Sequence, residues 1–137
     1  MKILFVAGFS PIVPDPGQSR AFYTGGLGLD IDQGQGDYVF TEKLAGAKHF
    51  GLWPLREAAE ACFGTTEWPS HVTRPQAALE FEVDDVASAA DELVAKGHTL
   101  IHGARTEPWG QQIARLLSPE GLLIGVCFTP WLHEKKA

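Results

Sequence analysis

Two segments seventy positions apart end an apolar run and begin a helical one in the same manner: Val13-Pro14-Asp15-Pro16 and Val83-Asp84-Asp85-Val86. Glycine-punctuated strand patterns follow each of them, so the chain reads as one β-α-β-β-β unit written twice. A unit of this kind covers one face of its strands with its helix and leaves the other face bare. Two such units side by side give a curved mixed sheet with a concave face that can enclose a ligand. The duplication therefore predicts an α+β fold, one domain over residues 1–137, in which two βαβββ modules form a cup. The first module covers 1–63 with a short trailing helix, a connector covers 64–75, and the second module covers 76–137.

Local signals fill in the units. Residues 2–10 read as a mostly apolar strand. Asp15 followed by Pro16 is an N-cap with proline at the first helical position, and that helix ends at Gly25-Gly26. Strands are expected over 29–33, 38–43 and 48–53, separated by Gly34-Gln35-Gly36-Asp37 and by Ala45-Gly46. Residues 55–63 read as a helix, and Trp68-Pro69-Ser70 with Arg74-Pro75 marks the connector. In the second half, 76–83 is a strand with Leu79, Phe81 and Val83 alternating against Ala78, Glu80 and Glu82. Asp85 then caps a helix whose Val86, Ala89, Ala90, Leu93 and Val94 form one apolar face, ended by Gly97. Short strands are expected over 98–102, 110–117 and 121–129, the last two joined by the turn Ser118-Pro119-Glu120-Gly121.

Composition removes whole classes of function. Charged residues at 20% and a net charge of −6 give no basic stripe, so nucleic acid is not an expected partner. No apolar run approaches a membrane span, and 3–7 is too short for a secretory signal. The two cysteines, Cys62 and Cys127, form no CxxC pair, and both read as buried apolar residues in a reducing, cytoplasmic setting.

Several of these pieces also resemble a known family. Val13-Pro14-Asp15 with Arg20-Ala21-Phe22-Tyr23 and Leu27-Gly28-Leu29 is similar to the first-module signature of the vicinal oxygen chelate superfamily, which includes glyoxalase I, extradiol dioxygenases and bleomycin-resistance proteins. Phe81-Glu82-Val83-Asp84-Asp85 and Leu93-Val94-Ala95-Lys96-Gly97 resemble the second-module signature. Trp109-Gly110-Gln111 and Leu117-Ser118-Pro119-Glu120-Gly121 resemble its closing hairpin. The resemblance implies the glyoxalase/bleomycin resistance fold, commonly as a homodimer. It also implies four positions where metal-dependent members carry His or Glu. In this chain they fall on Gly8, Gly51, Ala78 and Gly125, none of which can donate a side-chain ligand to a metal. No metal and no cofactor is therefore expected.

The expectation is a cup that binds a small organic ligand, as in sequestration or resistance. The small residues Gly8, Gly51, Ala78 and Gly125 would leave it volume. Strand alternation puts Trp53 and Glu80 on the cup face, with Trp109 at the start of a strand lining it. Stacking on Trp53 or Trp109 would favour a planar or cationic ligand, although either indole could equally serve as core or dimer contact. Glu80 would orient a donor-rich ligand or act as a base, or else pair with Arg115. Gln112 and Arg115 are opposite in parity, so only one of them can face the ligand. Trp68 could cover the cup or pack down its loop. Two enzymatic alternatives stand beside the binding reading. One is a glyoxalase-like lyase, isomerase or dioxygenase with a non-standard metal site rebuilt from His49 and the glutamates. The other is a metal-free enzyme using Glu80 or His49 as general base.

Overall fold

The computed structural model describes residues 1–33 and 36–133, so Gly34 and Gln35 of the first expected turn lie outside the described residues, as does Lys135-Lys136. β1 (Phe5–Val13) opens the chain. The Asp15 carboxylate then accepts from the Gln18 amide at 3.1 Å and caps α1 (Pro16–Arg20), with Pro16 at its start. α1 runs directly into a wider, π-wound stretch, Ala21–Gly26, closed by the Leu27 N–H on the Phe22 carbonyl at 2.9 Å. β2 (Asp32–Gln33), β3 (Val39–Thr41) and β4 (Phe50–Pro54) complete the first module, and α2 (Leu55–Phe63) follows. α2 stops at Gly64, whose φ of 77° is left-handed and suits a residue without Cβ.

The second module repeats the order. β5 (Ala77–Glu82) leads to α3 (Val86–Ala95), capped by Asp85 accepting from the Ser88 amide at 3.1 Å. β6 (His102–Thr106), β7 (Gln112–Leu117) and β8 (Leu123–Phe128) follow, and a 3-10 turn, Pro130–Leu132, closes the described chain. The expected turn between β7 and β8 forms, with the Gly121 N–H on the Ser118 carbonyl at 2.9 Å.

The eight strands of the described residues join one sheet in the order β2-β3-β4-β1-β5-β8-β7-β6. Each module contributes the same internal order, first strand, fourth, third, second, and the two meet at an antiparallel β1–β5 seam within one chain. On the convex side α3 buries Val86, Ala89 and Ala90 against Val83, Ala114 and Val126. The first module's counterpart packs Tyr23 over Val13, Val39 and Leu52. α2 crosses to the concave side, where Ala58 and Cys62 meet Ile12, Ala78 and Leu123 and stopper one end of the cup. The other end is closed by Leu132 and Phe5 over Ala7, Ile113 and Cys127.

Two strands, β1 and β6, lie elsewhere than expected, and a third, β2, is shorter. β1 is displaced toward its C-terminal end because pairing, not hydropathy, sets its length. It pairs with β5 from Phe5↔Glu82 to Pro11↔Ala77 and with β4 as far as Val13↔Pro54. Pro11, which has no N–H to give, falls opposite the first residue of β5, and the neighbouring Ile12 N–H reaches the Gln76 carbonyl at 2.8 Å. β6 begins where its expected strand ends, because Leu100 and Ile101 are drawn into the α3 and α2 clusters. The Glu107–Gly110 turn then fixes the pairing of β6 with β7. β2 is only two residues long. No helix among the described residues is long and apolar enough to cross a membrane.

Candidate functional site

Between the two stoppered ends lies a cavity of about 410 Å³. Alternate residues of β5 show how the face is divided. Ala78 packs under α2, Glu80 lines the cavity, and Glu82 is fully buried beneath the closing turn. The remaining wall comes from both modules: Tyr38, Phe40, His49 and Trp53 from the first, Trp109, Gln111, Arg115 and Trp131 from the second.

The first-module wall is a hydrogen-bonded chain. His49 Nδ1 donates to Glu42 Oε2 at 3.1 Å, which leaves Nε2 as the acceptor for the Tyr38 hydroxyl. The imidazole also stacks on Phe40, with ring centroids 5.0 Å apart and 15° between planes. Burial holds the Tyr38 phenol well above its ordinary pKa, and the Glu80 charge adds to this, as do Glu42 and Glu57, while a hydrogen bond with Ser10 opposes it. Tyr38 is therefore a neutral donor throughout the physiological range.

In the second-module wall, Gln111 is the hub. Its Nε2 donates to Glu80 Oε1 at 3.0 Å and to Thr129 Oγ1 at 2.9 Å, and its Oε1 accepts from the Trp109 indole N–H at 3.0 Å. Gln111 thereby fixes both the carboxylate and the indole that face the cavity. Arg115, 1% exposed, does not pair with Glu80. Its Nη1 donates to His102 Nε2 at 3.1 Å and lies 3.6 Å from Glu107 Oε1, and its guanidinium sits 5.5 Å from the Trp53 ring centroid. Glu82 accepts from the Thr129 amide (2.5 Å) and from His133 Nε2 (2.6 Å), so this carboxylate secures the closing turn and does not face the cavity.

Of the residues singled out from sequence, Trp53, Trp109, Glu80 and His49 are brought together around one cavity, and Arg115 rather than Gln112 joins them. Gly8, Gly51, Ala78 and Gly125 are not among its lining residues. The open volume expected over two of them is filled. A Cβ on Gly51 would lie 2.5 Å from the Tyr38 hydroxyl oxygen, and one on Gly125 would lie 2.7 Å from Ile113 Cδ1 and 3.3 Å from Glu80 Cγ. The positions implied for metal ligands thus carry no donors, and at Gly51 and Gly125 neighbouring side chains occupy the space above them. This site does not fit the metal centre of the metal-dependent relatives. Among the described residues no group of three or more His, Cys, Asp or Glu is placed to hold a metal ion.

Trp68 packs down its loop. Its ring meets Phe63 edge-on at 4.9 Å, and its N–H reaches the Val72 and Thr73 carbonyls at 3.1 Å. Tyr38, Phe40, Glu42, Glu57, Gln111 and Trp131 line the cavity without having been singled out. Period-2 alternation through Tyr38, Phe40 and Glu42 carried a readable signal for three of them. Gln111 and Trp131 carried none, since their placement depends on a turn and on the chain beyond β8.

Paired βαβββ modules around a concave, aromatic and carboxylate-lined cavity define a class of small cup-forming proteins. A family model for the glyoxalase-like domain matches residues 7–129, and the chain belongs to that family. Solved structures agree on the fold. A glyoxalase/bleomycin resistance protein/dioxygenase superfamily member from Vibrio splendidus 12B01 is 15% identical, with 91% of this chain and 98% of that one covered at a TM-score of 0.58. Methylmalonyl-CoA epimerase from Mycobacterium tuberculosis is 16% identical, covering 95% and 91% at 0.60. Hypothetical protein BH1468 from Bacillus halodurans C-125 is 18% identical, covering 97% and 96% at 0.58. Comparison with curated proteins found no match.

Proposed function

We propose that this chain binds a small, planar organic ligand in its cup, without a metal centre, in a sequestering role. The observation that carries this reading is the character of the wall. Trp53, Trp109, Tyr38, Phe40 and Trp131 surround a cavity large enough for a small organic molecule, with a few hydrogen-bonded polar groups among them. The four positions that serve metal chemistry in relatives are Gly8, Gly51, Ala78 and Gly125, and sequestration needs none of them. Free, buried Cys62 and Cys127 support a reducing, cytoplasmic setting, and exposed Phe22 and Leu27 support pairing with a second copy.

Quenching of tryptophan fluorescence by planar aromatic compounds tests the reading, with Trp53→Phe and Trp109→Phe as site variants. Saturable quenching that weakens in both variants is the expected result. Metal analysis after incubation with nickel, zinc, iron and manganese is the counter-test. A divalent ion retained at one per chain, and lost from a His49→Ala variant, would sink the metal-free reading.

A second reading is favoured by one arrangement, the Tyr38–His49–Glu42 chain opening on the same cavity as Glu80. That is an acid and a base on opposite walls, suited to metal-free proton transfer with Glu80 or His49 as the base. Its signature is a Glu80→Gln variant that keeps ligand binding and loses turnover.

A further inference from the structure

We infer that the ligand of this cup carries a positive charge, held between the indoles of Trp109 and Trp131 and the carboxylates of Glu42, Glu57 and Glu80. The inference rests on the binding reading above and adds the charge of what is bound.

Three carboxylates line the cavity against one guanidinium and one imidazole. The guanidinium is not free to receive an anion. The Arg115 side chain is 2% exposed: Nη1 is engaged by His102 and Glu107, the guanidinium lies over the Trp53 ring, and Nη2, although without a hydrogen-bond partner, is itself buried. His49 is committed at both nitrogens, to Glu42 and to Tyr38. The carboxylates have capacity to spare. The contact from Gln111 falls on Oε1 of Glu80, and that from His49 falls on Oε2 of Glu42. The upward push on the Tyr38 phenol comes, after burial, from Glu80, Glu42 and Glu57, so carboxylates from β5, from the loop after β3 and from α2 all act on one point of the cavity.

The aromatic groups suit the same ligand. Trp109 is 49% exposed and Trp131 38% exposed, both lining the cavity and both offering electron-rich faces. A neutral planar molecule could use those faces, but it would leave carboxylates desolvated beside it without compensation. An anion would meet repulsion from all three. A cation gains from both components of the wall.

The test uses two isosteric probes that differ in charge, 3-hydroxyphenyltrimethylammonium and 3-tert-butylphenol, titrated against the intrinsic tryptophan fluorescence of the intact chain. The cation should bind roughly tenfold or more tightly than the neutral isostere, the range expected for a cation set against aromatic faces and carboxylates. The preference should fall to within about threefold in Glu57→Gln/Glu80→Gln, whose folding is checked by thermal unfolding. It should persist in Glu120→Gln, a charge removed from the β7–β8 turn. If the double variant fails to fold, salt replaces it: the preference must shrink between about 0.02 M and about 0.5 M sodium chloride.

Equal binding of the two probes would overturn the charge assignment and leave the binding reading standing. Binding of neither at millimolar concentration would overturn both. An equal loss of preference in Glu120→Gln would also overturn the assignment, by tracing the effect to net charge and not to the cup.

Discussion

Gly51→Ala is the sharpest probe of how the cup is filled. The added Cβ would stand 2.5 Å from the Tyr38 hydroxyl oxygen, 2.8 Å from Cζ and 2.9 Å from Cε1. To restore ordinary contact the phenol must retreat by about 0.9 Å, or β3 and β4 must separate, and their pairing at Phe40↔Gly51 resists that. Overpacking of this kind costs about 1–3 kcal/mol. A retreat also lengthens the bond from Tyr38 to His49, a loss of about 1 kcal/mol. The sum is about 2–4 kcal/mol, which for a chain of this size lowers Tm by about 10 °C. Urea unfolding at constant m would report the difference as a shift in midpoint. The decisive measurement is the same substitution in a Tyr38→Ala background, where the clash has no partner. There Gly51→Ala should cost less than about 0.5 kcal/mol or stabilise, leaving a coupling energy of about 2 kcal/mol or more. Equal cost in both backgrounds would show that the phenol does not occupy this space.

Three further outcomes follow from the same geometry. Because the folded-state pKa of Tyr38 is raised, its stabilising contribution is complete below the ordinary tyrosine value of 10.0 and is lost as pH rises beyond it; the alkaline fall in stability should be shallower in Tyr38→Phe, and an unchanged slope refutes the burial argument. His102 is shifted the other way, down from 6.5, chiefly by burial; its Nδ1 donates to the Gly103 carbonyl at 2.7 Å while Nε2 accepts from Arg115, so stability present above pH 6.5 is lost as acid protonates it, and a proton NMR midpoint at or above 6.5 would contradict this. Burial pushes the Cys62 thiol up to about 11 and the Cys127 thiol further still, so neither should react with a disulfide reagent at pH 8 until urea unfolds the chain.

The module repeat, both aspartate caps and the alternation of β5 were legible because each depends on neighbours in sequence. Asp15 and Asp85 bond amides three residues on, and Glu80 faces the cavity because Ala78 and Glu82 share its parity. What was not legible depends on partners far along the chain. The limits of β1 follow from β4 and β5, and the start of β6 follows from where Leu100 and Ile101 find apolar company. The site divides in the same way. Trp53, His49 and Glu80 could be placed by parity, but the fate of Arg115 could not. It turns to Glu107, eight residues back, and to His102 across the β6–β7 pair, leaving Glu80 to Gln111. Glycine at positions 51 and 125 suggests emptiness in a sequence, whereas in three dimensions it admits a neighbour's ring or methyl group.

The link from Trp109 through Gln111 to Thr129, continued by Glu82 to His133, joins the mouth of the cavity to the last described residues. A fusion, label or surface attachment placed just after His133 would pull on Thr129, and through it on the indole that greets an incoming molecule. The same attachment at the β7–β8 turn would leave that relay slack.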